Sequence, residues 1–391
     1  MKFRSASLLL LVVALGLDGC TSFRNKRPDR TLLESSQIIV PATKVSNYLI
    51  VETPVEKFGT ARFLIDTGSS ITLVSPALAA RLKIDPVPPN SPQVHVRSAA
   101  GGTLAVRDLT LRRLKIGNAS FEGVHAIIRD PSDLSDHLGV HIDGIIGFPV
   151  FRDTLLTLDY PNSRLIISAR TSADGVTGTT VAFNNEENIP IIPIRIGNES
   201  LAVLIDSGSD TALSLNPVGL HPVYAQKPRQ GGLVGTLTGD RPQYIGRLTD
   251  PLIIGTLQVS TPIVELTDEL SSLGGEILKN FTISFDQKRN QVTFHRDASD
   301  PVPPEPRHSS GISFSRSSAY WRVEGVIPGS PAAGLEIQTG DLCIQINGEP
   351  VANWDFARYT QLVRETAEIT FTLINGSRER IVKVPVFNLV P

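Results

Sequence analysis

The chain has 391 residues and 42.3 kDa, with 37 basic and 39 acidic side chains for a net charge of −2. A hydrophobic fraction of 41% supplies packed cores and excludes wholesale disorder, and the missing basic surplus speaks against nucleic-acid binding. Only two cysteines, Cys20 and Cys343, exclude a disulfide scaffold or a Cys-rich zinc site, while 31 Gly and 28 Pro favour short strands and tight turns over helical bundles.

At the N-terminus, Lys2 and Arg4 precede ten apolar residues, Leu8 to Leu17. That run is too short to span a bilayer and suits the apolar stretch of an export signal. It ends at Leu17-Asp18-Gly19-Cys20, which resembles a bacterial lipobox, although Asp18 stands where a small or apolar residue is usual. The resemblance implies cleavage before Cys20, lipidation of Cys20, and an exported, membrane-anchored protein of the cell envelope. Residues 21–35 are polar and basic and read as a tether near a membrane surface.

Self-comparison is the most informative step. Leu64-Ile65-Asp66-Thr67-Gly68-Ser69 returns as Leu204-Ile205-Asp206-Ser207-Gly208-Ser209, an offset of 140 residues. Downstream, Ile145-Ile146-Gly147 matches Leu273-Gly274 in pattern at an offset of 127, which holds for Asp159 with Asp286 and Leu165 with Val292. One unit therefore occurs twice. Phe63-Leu64-Ile65 and Val203-Leu204-Ile205 read as buried strands that deliver an aspartate to a sharp glycine turn. Thr67 and Ser207 can brace that turn, and Ser69 and Ser209 can donate to the carboxylate. If the units pack about a pseudo-twofold axis, Asp66 and Asp206 meet. Two carboxylates ~3 Å apart share one proton, so one serves as base for a water and the other as acid for a carbonyl.

In these motifs the sequence resembles the aspartic peptidases of the pepsin and retropepsin type, over roughly residues 36–297. The resemblance implies a mainly β, two-lobed double barrel with Asp66 and Asp206 catalytic, and Thr67, Gly68, Ser69, Ser207, Gly208 and Ser209 supporting their loops. Both lobes lie in one chain, so a monomer suffices. Ser272 departs from the family, occupying an apolar position, and lobe one carries no Tyr between Tyr48 and Tyr160. The expected flap tip is the segment around Gly101 and Gly102, with Gly235–Asp240 its lobe-two counterpart. No cofactor or metal is implied. His137 and His141 have the spacing of a helical metal pair, but glycines at 139 and 144 predict an exposed loop.

Four prolines between Asp300 and Arg307 predict an extended, semi-rigid linker. Beyond it, Pro328-Gly329-Ser330-Pro331-Ala332-Ala333-Gly334-Leu335, Gly340-Asp341 and Ile346-Asn347-Gly348 follow in the order of bacterial PDZ domains, which this segment resembles. That family is a β-sandwich with two helices. Phe356, Tyr359, Leu362 and Val363 have helical spacing, as the groove helix requires. The resemblance implies that Gly311, Ile312, Ser313 and Phe314 form the loop that holds a ligand's C-terminal carboxylate. Recruitment of a C-terminal peptide is weighed against a domain that only packs on the two-lobed body. Cys343, between Leu342 and Ile344, reads as a small buried hydrophobe.

The expected division is a signal peptide at 1–20, a tether at 21–35, lobe one at 36–172, lobe two at 173–297, a linker at 298–310 and a PDZ domain at 311–391. The expected activity is endopeptidase hydrolysis of a protein or peptide. The alternative is a peptide-binding lipoprotein that keeps the fold without cleaving.

Overall fold

The computed structural model describes residues 12–14, 27–55, 59–84, 93–98, 103–236 and 239–390. Cys20, Gly101 and Gly102 lie outside the described residues. The chain is mainly β, as composition predicts.

The first aspartate strand, Gly59–Asp66, is buried over its last four residues. It pairs in parallel with Gly144–Gly147, in register from Gly144 with Phe63 to Gly147 with Asp66. That segment also pairs antiparallel with Thr72–Val74, the strand leaving the aspartate loop, and so threads between the two. Gly147 is required there: a Cβ would stand 2.6 Å from the Ile71 carbonyl. The second copy repeats the arrangement. Glu199–Ile205 pairs in parallel with Ser272–Leu273, which pairs antiparallel with Leu213–Leu215. Ser272, the departure from the apolar pattern, is buried in this core.

Six consecutive strands of a 15-stranded sheet join the copies. The order of these six is Gln37–Val45, Arg164–Ser168, Leu155–Asp159, Thr282–Asp286, Gln291–His295 and Thr179–Ala182. At its centre Leu155–Asp159 lies antiparallel to its repeat partner Thr282–Asp286, with Thr157 opposite Ser284. These residues are related by the same 127-residue offset, so the local twofold runs between them, and their hydroxyls hydrogen-bond at 2.7 Å. The halves are thereby fixed to each other by backbone pairing and a shared core.

The C-terminal domain is a sheet in the order Ile312–Arg316, Trp321–Val326, Leu342–Ile346, Glu368–Asn375 and Arg378–Pro385. Helix Phe356–Glu365 packs on it. Asp355 caps the helix by accepting from the Arg358 N–H at 2.7 Å, and Tyr359 and Val363 are buried against Phe314, Trp321 and Phe371. Cys343 is buried in this core, and burial pushes its thiol up to about 12.

One local expectation is corrected, and one segment makes contacts that its sequence does not announce. The segment before His141 is not a loop: Ser132–Leu138 is an α-helix. Gly139 ends it in the left-handed region at φ 68°, so the glycine terminates the helix instead of preventing it. The proline-rich segment is extended but does not act as a free spacer. Val302 is buried in the core of the two-lobed body, where its N–H donates to Gln258 O and its carbonyl accepts from the Ser260 N–H, both at 2.9 Å. The C-terminal strand Phe387–Val390 then pairs with Arg307–Ser309. Leu389 and Val390 pack with Ile327 against Ile245 and Ile263 of lobe two. The PDZ domain also reaches lobe one, through Arg316 and Asp136 at 3.6 Å.

Candidate active site

Asp66 ends its strand and Asp206 directly follows Glu199–Ile205, each after a run of buried residues, and each carboxyl is held by its own turn. The Gly68 N–H donates to Asp66 Oδ1 at 2.8 Å, and the Gly208 N–H to Asp206 Oδ1 at 2.9 Å. The two carboxyls are hydrogen-bonding neighbours, and both residues are 1% exposed. The approach is so close that a methyl group at position 208 would stand 2.5 Å from both Asp66 carboxyl oxygens. Glycine is needed here for space.

Thr67 and Ser207 do more than brace their own turns. The Thr67 hydroxyl donates to Ile205 O at 2.7 Å and accepts from the Ser207 N–H at 3.0 Å. Reciprocally, the Ser207 hydroxyl donates to Ile65 O at 2.8 Å and accepts from the Thr67 N–H at 2.9 Å. Four buried bonds therefore cross between the repeats and set the spacing of the aspartates. Ser69 and Ser209 correct the sequence expectation. Ser69 Oγ donates to Ile71 O at 2.7 Å, and Ser209 Oγ pairs with Thr211 Oγ1 at 2.9 Å. Their hydroxyls secure the segment that leaves each loop, while backbone N–H groups serve the carboxylates.

Burial raises the Asp66 pKa well above its ordinary value, and the charge of Asp206 raises it further. Burial likewise pushes Asp206 up, to about 7, while the hydrogen bond from Asp66 pulls it down. The two carboxyls therefore titrate as a pair that shares a proton, both held above the ordinary carboxylate range.

Several neighbours carry no local sequence signal. Asn47 Nδ2 donates to Asp210 O at 3.0 Å, reaching from lobe one to the end of the second loop. Tyr48 and Tyr160 are fully buried, and their phenols are raised first by burial and then by the negative charge of the site. These residues converge only through folding, so no motif marks them. The lobe-one hairpin expected to carry the flap is formed, with Arg97 opposite Thr103. Its tip, with Gly101 and Gly102, lies outside the described residues. The lobe-two hairpin pairs Gly235 with Asp240. His141 meets Asp143 at 3.3 Å, and among the described residues no three of His, Cys, Asp and Glu gather as metal ligands do.

In the PDZ domain, Gly311 has a φ of 82° and opens the edge strand beside the helix. Two of the loop N–H groups are already used: Gly311 N–H donates to Ser309 Oγ at 2.9 Å and Ile312 N–H to Ser310 Oγ at 3.2 Å. Ser310 Oγ also bonds the Tyr359 phenol at 2.7 Å.

Residues 55–150 match the aspartyl protease family and residues 322–374 the PDZ domain family. The chain therefore carries an aspartyl protease domain followed by a PDZ domain. Curated proteins give no match. Among solved structures, a PDZ domain protein from Parabacteroides distasonis is 22% identical over 21% of this chain, with a TM-score of 0.20. The chain spans 20% of that protein.

Proposed function

We propose that the protein is an aspartic endopeptidase in which Asp66 and Asp206 activate water for peptide-bond hydrolysis. The observation that carries this reading is the reciprocal Thr67–Ser207 grip, which holds two buried carboxyls, one on each repeat, against each other. Asp206, ionised, takes a proton from water as its oxygen adds to the peptide carbonyl carbon. Asp66 gives its proton to the carbonyl oxygen, forming a tetrahedral diol. Collapse breaks the C–N bond. Asp206 then protonates the leaving amine, a diol hydroxyl returns its proton to Asp66, and the pair again holds one proton. The direct test incubates wild type and Asp66→Asn with an unfolded protein and a peptide library. Cleavage by wild type alone supports the reading, and equal inertness of both removes it.

The PDZ domain, on this reading, binds a peptide C-terminus at residues 311–314. A carboxylate would take over the N–H groups now bonded to Ser309 and Ser310. A peptide acid that binds no better than its amide in calorimetry would leave only the packing role. Export and lipid anchoring at Cys20 rest on the lipobox resemblance. Cys20→Ala is expected to accumulate as precursor without acyl label, and its release as a mature soluble form would contradict the assignment. Both repeats share one chain, so the active species is a monomer.

A further inference from the structure

Arg307 lies outside both family matches, in the strand leading into the PDZ domain, yet its side chain points into lobe two. Its Nη2 bonds Glu265 Oε1 at 2.9 Å and its Nη1 bonds Glu276 Oε2 at 3.3 Å. Both glutamates are largely buried, while the guanidinium keeps about a third of its surface exposed. Its backbone is anchored independently, because Arg307 pairs with Val390 of the C-terminal strand.

The two glutamates belong to elements that build the second aspartate loop. Glu265 lies on Ile263–Leu266, opposite Ser214 of Leu213–Leu215, the strand that leaves that loop. Its carboxylate also accepts from Gln243 Nε2, on the lobe-two hairpin. Glu276 opens helix Gly275–Leu278, and its N–H donates to Thr211 O at 3.0 Å, while the preceding Gly275 N–H donates to Ser209 O at 2.7 Å. Asp210, between those carbonyls, adds negative charge to the same cluster. One planar guanidinium thus spans the elements on either side of residues 206–211, and a fork of fixed geometry can hold two carboxylates at a set distance where an ammonium cannot.

We propose that Arg307 is a positioning residue for the Asp206 loop, so that the segment joining the peptidase body to the PDZ domain completes the active site. The assignment rests on the peptidase reading. It also links the two domains: Arg307 stands four residues before Gly311, with Ser309, whose hydroxyl holds the Gly311 N–H, between them.

The test uses the full chain as wild type, Asp66→Asn, Arg307→Met and Arg307→Lys, with kcat, KM and the thermal midpoint measured on one peptide substrate. Arg307→Met is expected to lower kcat by about 10- to 100-fold, the scale of a displacement of about 1 Å, with KM within about twofold of wild type. Arg307→Lys should restore most of the thermal midpoint, since it returns the charge, but leave kcat depressed because one ammonium does not span both carboxylates. A folded Arg307→Met with wild-type kcat overturns the proposal, as does a rise in KM at unchanged kcat. If Arg307→Met does not fold, Arg307→Lys decides: wild-type kcat overturns the proposal, and depressed kcat at unchanged KM upholds it. If wild type cleaves nothing that Asp66→Asn leaves intact, the peptidase reading has failed and this assignment with it. Failure of the arginine variants alone leaves the peptidase reading standing.

Discussion

Removing the charge of the second aspartate should make the protein more stable at neutral pH while abolishing its chemistry. Asp206 is buried, and its pKa rises from the ordinary 3.8 to about 7. Each tenfold loss of acidity corresponds to about 1.4 kcal/mol, so holding this group ionised costs on the order of a few kcal/mol. The sign follows from linkage. The folded value lies above the unfolded one, so the wild type has its full stability below about pH 4 and loses it as the pH rises towards 7. The amide introduced by Asp206→Asn does not titrate, and its oxygen can still accept from the Gly208 N–H. The thermal midpoint of Asp206→Asn should therefore approach that of wild type near pH 4 and exceed it by roughly 10 °C at pH 7, taking about 2–4 °C per kcal/mol. Scanning calorimetry from pH 4 to 8 measures the gap. A gap independent of pH, or a wild type that gains on the variant between pH 4 and 7, would refute the claim that a buried, reluctant carboxylate occupies this site.

Asp66→Asn and Asp206→Asn should each abolish peptide cleavage, with the double variant no worse than either single, because the two groups act as one unit. The wild-type rate should follow a bell in pH, since one shared proton is required, with its acid limb near the raised value of Asp206, and a flat profile in a pH series would count against it. Thr67→Ala deletes two of the four cross-repeat bonds and exposes unpaired groups at Ile205 and Ser207. Urea titration should show a loss of about 1–3 kcal/mol, and kcat should fall with it. Gly208→Ala forces a methyl group against the Asp66 carboxyl, so folded protein, verified by circular dichroism, should retain little activity. Near-normal turnover would mean that the carboxyls need not sit this close.

The repeat was legible because it is local and periodic. Leu64–Ser69 and Leu204–Ser209 share residue types, and the 140- and 127-residue offsets recur in space as the Thr67–Ser207 grip and the Thr157–Ser284 pair on the twofold. The apolar strands, the glycines that admit a close neighbour and the helix Phe356–Glu365 likewise follow from spacing and side-chain volume. What tertiary structure alone decided are contacts between groups far apart in the chain. Ser69 and Ser209 have the right chemistry to bond a carboxylate, but backbone N–H groups of the turn already fill that place, and the Ile71 carbonyl and the Thr211 hydroxyl claim the two serines. Gly139 reads as a helix breaker until φ 68° makes it a helix terminator. The prolines from Asp300 to Arg307 dictate an extended backbone, but not what lies beside it. Val302 docks there because apolar surface on lobe two is left to cover, and Arg307 turns inward where two largely buried carboxylates, Glu265 and Glu276, lie within reach of its guanidinium.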